Sequence, residues 1–236
     1  MKSKIIHCFA GKRWSGDATS TLNSALLSGG AVLTEAGDKV AARLHHAGVS
    51  DVRQLNMSGL FGALNLSRMF RIIEPNIVRV HSASLLKKVS QAVSLAELPI
   101  EIEDLSSEIV VFDVNPVKKG EKLIWIGYIT KDCGLRSLLE AMKLLPDENL
   151  RIVGEGEAKY VGPLLNLAKS PELRGRIEWT GEQTDVYAMM EDCKAGVITS
   201  STPERKVVSR EFTVAGLPYF SGTTAQELIK NFSSMI

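Results

Sequence analysis

Residues 194–221 read KAGVITSSTPERKVVSREFTVAGLPYFS. KAGVITSS, at 194–201, is a strand-like run, and LPYFS, at 217–221, is a second. Between them SREFTVAGLP is an apolar helical turn that closes on Gly216, the residue type best suited to end a helix in the left-handed conformation. Strand, helix and strand in that order make the crossover of a βαβ unit, and the helix start then lies at the sheet edge where such folds bind ligands. One carboxylate, Glu211, interrupts the apolar turn. It is either a solvated surface group or a ligand group at that edge, and the rest of the chain decides between the two.

The same alternation extends in both directions. The first half reads as strand KIIHCFA, helix 19–27, strand AVLTE, helix 38–47, strand DVRQLN, helix 58–73, strand NIVRVHS, helix 84–96 and strand EIVVFDV. Asn115-Pro116 stops that last strand, and the charged run VKKGEK reads as a linker. The second half follows as strand KLIWIGYI, helix 134–145, strand NLRIVGEG, helix 158–169, strand RIEWTG, helix 185–192, the βαβ unit above, and a last helix from Thr224. Leu66, Met69, Phe70 and Ile73 fall at helical spacing, as do Leu135, Leu138, Leu139 and Met142, and Ala225, Leu228, Ile229 and Phe232. Strands alternating with helices imply parallel sheets covered on both faces. The expectation is an α/β protein of two small Rossmann-like domains, 1–117 and 118–236, with an interdomain cleft as the default ligand site.

Composition narrows the class. The 236 residues are 44% hydrophobic and 23% charged with a formal net charge of +1, which fits a soluble globular protein and offers no basic face for nucleic acid. No apolar run reaches the roughly 18–20 residues of a membrane span. The N-terminal run reads as a first strand and not as a signal peptide. Cys8, Cys133 and Cys193 are far apart and lack metal-ligand spacing, so they read as reduced thiols of a cytoplasmic protein. Adjacent His45 and His46 diverge by about 100° on a helix and do not form a two-histidine metal site. No metal ligands and no cofactor are expected.

Four segments of the second half, LIWIGYITKDCGLRSLLEAMKLL, LRIVGEGE, IEWTGEQTDVYAMMEDCKAGVITSS and EFTVAGLP, resemble in order and spacing the C-terminal domain of retaining family-four (group 1) glycosyltransferases. Those are nucleotide-sugar enzymes of the GT-B fold, with two Rossmann-like domains. WSGDAT and EPNIVRVHSAS resemble the N-terminal half more loosely. The resemblance implies that Glu211 holds the ribose hydroxyls of the donor nucleotide. A carboxylate suits that task because it accepts two hydroxyl hydrogen bonds at once. The helix N-terminus beside it offers free N–H groups to a diphosphate. His81, at the end of its strand, is implied to contact the donor sugar; the competing role is a buried, hydrogen-bonded histidine.

Departures from the family pattern open alternatives. The first motif glutamate falls on Pro203; Glu204 beside it either approaches the transferred sugar or is a loop charge. Arg205 and Lys206, in RKV where Gly-Phe-Gly is usual, either meet phosphate or are solvated. The usual phosphate-binding Arg and Lys positions hold Tyr128 and Cys133, which leaves Lys131, Lys206 or Arg205 to neutralise the leaving group. Gly16 either lets backbone approach the ligand or is a plain turn glycine. Gly127, Gly154 and Gly156 end strands where the chain turns beside the nucleotide. The chain is also shorter than is common in that family, with a strand-helix region expected to be missing between VHSAS and EIVVFDV.

The function implied is metal-independent, retaining transfer of a sugar from a UDP- or GDP-linked donor to a saccharide or lipid-linked saccharide acceptor, in cell-envelope or capsular polysaccharide synthesis. Peripheral association with the inner face of the membrane, or with a partner protein, is left open. The competing reading is a degenerate, non-catalytic nucleotide-sugar-binding or partner subunit. A third, generic reading is another Rossmann-type enzyme, against which stands the lack of a Gly-x-Gly-x-x-Gly turn after the first strand.

Overall fold

The computed structural model describes residues 4–11, 16–37, 39–108, 110, 116, 120–199 and 204–235, with the side chains at 16, 204 and 205 outside that description. The chain divides into two units, Met1–Phe112 and Asp113–Ile236.

In the first unit the order is β1 (Ile5–Cys8), α1 (Gly16–Ser28), β2 (Ala31–Glu35), α2 (Val40–His46), β3 (Val52–Leu55), α3 (Gly62–Ile73), β4 (Ile77–Val80), a 3-10 turn (Ala83–Leu85), α4 (Leu86–Ala96) and β5 (Glu101–Asp104). Its sheet runs β3-β2-β1-β4-β5, and every pairing is parallel. In the second unit follow β6 (Lys122–Ile126), α5 (Leu135–Lys143), β7 (Asn149–Val153), α6 (Ala158–Ala168), β8 (Ile177–Gly181), α7 (Val186–Met190), β9 (Cys193–Ile198), α8 (Glu204–Val214), β10 (Tyr219–Ser221) and α9 (Ala225–Ser233). That sheet runs β10-β9-β6-β7-β8, again all parallel. Each unit therefore winds outward on one side of its first strand, then crosses back to add two strands on the other side.

The pleat explains the near-continuous apolar strands. Alternate side chains of β6 enter opposite cores: Leu123 and Trp125 pack on one face of the sheet, Ile124 on the other. Leu135, Leu138, Leu139 and Met142 are all buried on the first of these faces, so the expected stripe of α5 is its core face. Each such leucine contributes about 2 kcal/mol by leaving water.

The first sheet reaches five strands through β5, where the sequence reading placed no strand and judged a strand-helix region missing. Glu101 and Glu103 flank Ile102 in a short edge strand whose Ile102 packs against the core, with Ile100 just before it. An ion pair from Arg79 Nε to Glu103, 2.6 Å, ties that edge to β4. Most of EIVVFDV (109 and 111–114) lies outside the described residues.

Candidate functional site

In open parallel sheets the ligand crevice forms at the C-terminal ends of the strands, where the winding reverses. Here those junctions are β1/β4 in the first unit and β6/β9 in the second.

At the β6/β9 junction a buried relay joins the two strand ends. Trp125 Nε1–H donates to Thr199 Oγ1 at 2.8 Å, and the Thr199 hydroxyl donates to the Cys133 carbonyl at 2.5 Å. Gly134 caps the start of α5 in the left-handed conformation, with a Cβ there falling 2.5 Å from the Thr199 carbonyl oxygen. Cys133 packs its side chain into the core beside Trp125, so the position expected to neutralise phosphate is structural here. Gly154 has φ +145°, and a Cβ would stand 1.8 Å from the Gly127 carbonyl oxygen. Gly127 N–H in turn donates to the Val153 carbonyl at 3.0 Å. Gly154 therefore serves this backbone-on-backbone approach, whereas a Cβ at Gly127 would meet the Trp125 ring at 3.0 Å. Lys131 is exposed, with no ion pair among the described residues, and Lys206 is exposed on α8.

α8 lies on β9 because Gly196 leaves room for the Phe212 ring; a Cβ there would meet Phe212 Cε2 at 2.3 Å. The helix ends in a left-handed Gly216 with Leu217 N–H donating to the Phe212 carbonyl at 2.9 Å. Glu211 sits in the body of this helix and not in its first turn, about 10 Å along the axis from Glu204 at 1.5 Å per residue. Its side chain is only 3% exposed, and no hydrogen bond or ion pair reaches the carboxylate among the described residues. Burial pushes its pKa up to about 8. Tyr187 of α7 packs in the same cluster as Phe212, and its buried hydroxyl also lacks a partner among the described residues. Burial, and then the charge of Glu211, push that phenol up to about 12. Tyr187 is positioned by the cap of α7, where the Asp185 carboxylate accepts from the N–H groups of Tyr187 and Ala188 at 3.1 and 3.0 Å. The sequence reading passed over Tyr187. A buried hydroxyl left without a partner, beside a buried carboxylate, is costly unless a ligand satisfies it. The side chains of Glu204 and Arg205 lie outside the described residues.

At the β1/β4 junction His81, 1% exposed, follows β4. His7 Nδ1 and His81 Nε2 lie 3.1 Å apart, with the rings stacked at 24°. Ser82 clasps the junction: its Oγ accepts from Ala10 N–H at 3.0 Å and donates to the Ala10 carbonyl at 3.3 Å. The competing role for His81, a buried and hydrogen-bonded ring, thus describes one of its nitrogens; Nδ1 is buried without a partner among the described residues. His7 was missed by sequence reasoning, although it is the one polar side chain inside the apolar run IIHC. Gly16 is the first residue of α1. Among the described residues no cluster of His, Cys, Asp and Glu could hold a metal, and no helix is long and apolar enough to cross a membrane.

The fold is of the GT-B class: two α/β units, each with a parallel five-stranded sheet, as in the solved glycosyltransferases it matches. Residues 107–213 match the family of glycosyl transferases group 1. Among solved structures the chain is similar to Anabaena Alr3699/HepE in complex with UDP and glucose, with a TM-score of 0.74 and 13% identity over 98% of this chain and 89% of that one. It is similar to a glycosyltransferase from Rickettsia africae (TM-score 0.64, 12% identity, 99% and 88% covered). It also resembles MurG of Acinetobacter baumannii (TM-score 0.55, 12% identity, 98% and 90% covered). No curated protein matches the chain.

Proposed function

We propose that this protein is a glycosyltransferase that moves a sugar from a nucleoside diphosphate to an acceptor hydroxyl with retention. The observation that carries the reading is Glu211, a buried carboxylate on the helix whose Phe212 enters the apolar core, with no hydrogen bond or ion pair of its own among the described residues. Ribose hydroxyls are suited to it: two adjacent donors satisfy both carboxylate oxygens. The free N–H groups at the start of α8 attract the diphosphate. The match of residues 107–213 to the glycosyl transferases group 1, and the UDP and UDP-glucose carried by Alr3699/HepE, support the same ligand class.

In the proposed step the bond from C1 to the phosphate oxygen breaks, and its electron pair leaves with the diphosphate. The acceptor oxygen bonds C1 on the same face and gives its proton to the departing phosphate. No carboxylate nucleophile and no metal enters this scheme, and no cofactor besides the UDP- or GDP-linked co-substrate. Lys131, exposed and without an ion pair among the described residues, is assigned to the charge that develops on the leaving group. His81 is assigned to a saccharide hydroxyl. We place the enzyme in the cytoplasm, acting in cell-envelope or capsular polysaccharide synthesis on a saccharide or lipid-linked saccharide.

A second reading, a nucleotide-sugar-binding subunit without turnover, is favoured by one observation: Cys133 is given over to the core where the family pattern has a phosphate-binding lysine. Calorimetric titration of the protein and of Glu211→Ala with UDP and GDP, followed by a hydrolysis assay with the matching nucleotide sugars, separates the two. Binding lost in the variant together with turnover supports the transferase; binding without turnover supports the subunit. Unchanged binding by Glu211→Ala sinks the assignment of Glu211.

A further inference from the structure

The histidine pair of the first unit has a determinable polarity. Gly29 ends α1 with φ +75°, which turns its carbonyl toward His7 Nε2 at 3.0 Å. A carbonyl only accepts, so Nε2 of His7 carries the proton. The nearby Ser28 hydroxyl, 3.3 Å from Nε2, donates to the Ser24 carbonyl at 2.6 Å and does not compete for that role. Both rings are buried beside the Arg79–Glu103 ion pair and neutral at pH 7: burial above all holds His7 down at about 4 and His81 at about 3. Nδ1 of neutral His7 is then a lone pair, and the 3.1 Å contact requires His81 to donate to it from Nε2. One proton on the neutral His81 ring is thereby fixed, and its Nδ1 is left as a buried lone pair with no donor among the described residues.

We infer that His7 is a positioning residue: it locks His81 with Nε2 protonated, so that the C-terminal edge of the first sheet offers a saccharide hydroxyl one hydrogen-bond acceptor, Nδ1 of His81. A group able only to accept, such as a carboxylate or carbonyl, meets a lone pair there and is refused. The identity of the ligand rests on the glycosyltransferase reading; the tautomers do not.

Nitrogen NMR of the full chain labelled in its histidine rings, at pH 7 without ligand, reads the tautomers directly. Both rings are expected neutral with Nε2–H; His81 protonated at Nδ1, or on both nitrogens, overturns the inference. His7→Leu removes the acceptor, so His81 is expected to populate both tautomers and UDP-glucose to bind about twofold more weakly, in proportion to the fraction left with a free Nδ1. UDP affinity is expected to stay the same. His7→Asn, whose Oδ1 replaces Nδ1, is expected to restore the wild-type tautomer and affinity, and serves alone if His7→Leu does not fold. A His7→Leu protein with unaltered His81 signals and donor affinity overturns the role of His7. Movement of the His81 Nδ1 signal by UDP-glucose but not UDP assigns the hydroxyl to the donor sugar; movement by glucose alone assigns it to a free saccharide. No movement by any of them overturns the hydroxyl site. Absence of any binding of UDP-glucose and GDP-glucose defeats the transferase reading and the hydroxyl site with it, whereas the tautomers are judged from the unliganded spectrum.

Discussion

Trp125 and Thr199 stand 74 residues apart in sequence and 2.8 Å apart in space, and His7 and His81 are likewise 74 residues apart and 3.1 Å from one another. Each pair bridges the junction at which its sheet reverses its winding. In the second unit the bridge is structural: it joins an indole, a hydroxyl and a backbone carbonyl in a closed buried relay. Thr199→Val, nearly the same shape, leaves the indole N–H and the Cys133 carbonyl without their partner. The expected loss is about 1–3 kcal/mol in chemical denaturation, and Thr199→Ser restores most of it; an unaffected Val variant means the relay contributes nothing.

The role proposed for Glu211 predicts pH-dependent nucleotide binding. Its folded pKa, about 8 against an ordinary 4.5, leaves much of it protonated at pH 7 in the free protein. Ribose hydroxyls donate to the ionised form and lower that pKa, so UDP binding at pH 7 is expected to release up to about one proton. Calorimetry in two buffers of different ionisation enthalpy measures it, and Glu211→Gln abolishes the difference. UDP affinity rises between pH 6 and about 8. The free protein, conversely, loses the stability contributed by the neutral carboxyl as pH rises from 4.5 to about 8.

The histidine pair has the opposite sign. Unfolded histidines take up protons below 6.5, while the folded pair resists until about 4 and about 3. Stability of the first unit is therefore full above pH 6.5 and falls as pH drops toward 4, by about 1.4 kcal/mol per pH unit for each histidine at most. Urea unfolding at pH 7, 5.5 and 4.5, compared with a His7→Asn/His81→Asn protein, isolates that slope.

Gly154→Ala combines an unfavourable backbone angle with a Cβ placed against the Gly127 carbonyl. We expect a loss of several kcal/mol or failure to fold. Gly162→Ala, with nothing near its Cβ, is the matched control and is expected to be neutral or slightly stabilising.

Lys131→Ala tests the charge on the leaving group. Turnover is expected to fall about tenfold or more while UDP affinity changes little, because the proposed interaction strengthens only as the diphosphate departs. Equal losses in both parameters would make Lys131 an ordinary ligand contact.

Periodicity made the alternating strands and the core stripe of α5 legible, because burial dictates both. β5 escaped notice because an edge strand alternates Ile with Glu and looks like solvated chain. Glu211 was legible as a lone carboxylate in an apolar turn, but its depth was not: burial comes from Phe212 seating on Gly196, a contact between elements. Gly154 read as a strand-end glycine beside a ligand; its structural reason, the nearby Gly127 carbonyl, comes from a neighbouring strand and was not legible. His7 carried only a faint signal, one polar residue in a buried strand, since its meaning depends on a ring brought in from β4. Tyr187 carried none, because an orphaned hydroxyl is a property of packing.

The reversal of winding has a kinetic consequence. β1 meets β2 after a short stretch of chain, Ile6 beside Ala31, but meets β4 only with Ile6 beside Val78; β6 behaves alike, with Leu123 beside Leu150 and beside Ala195. Gathering roughly seventy residues instead of roughly twenty-five costs about 1 kcal/mol more in loop-closure entropy. The junctions that hold His7 with His81 and Trp125 with Thr199 are thus the long-range closures of their sheets. Substitutions there act on the rate at which each unit zips shut as well as on what the finished edge can bind.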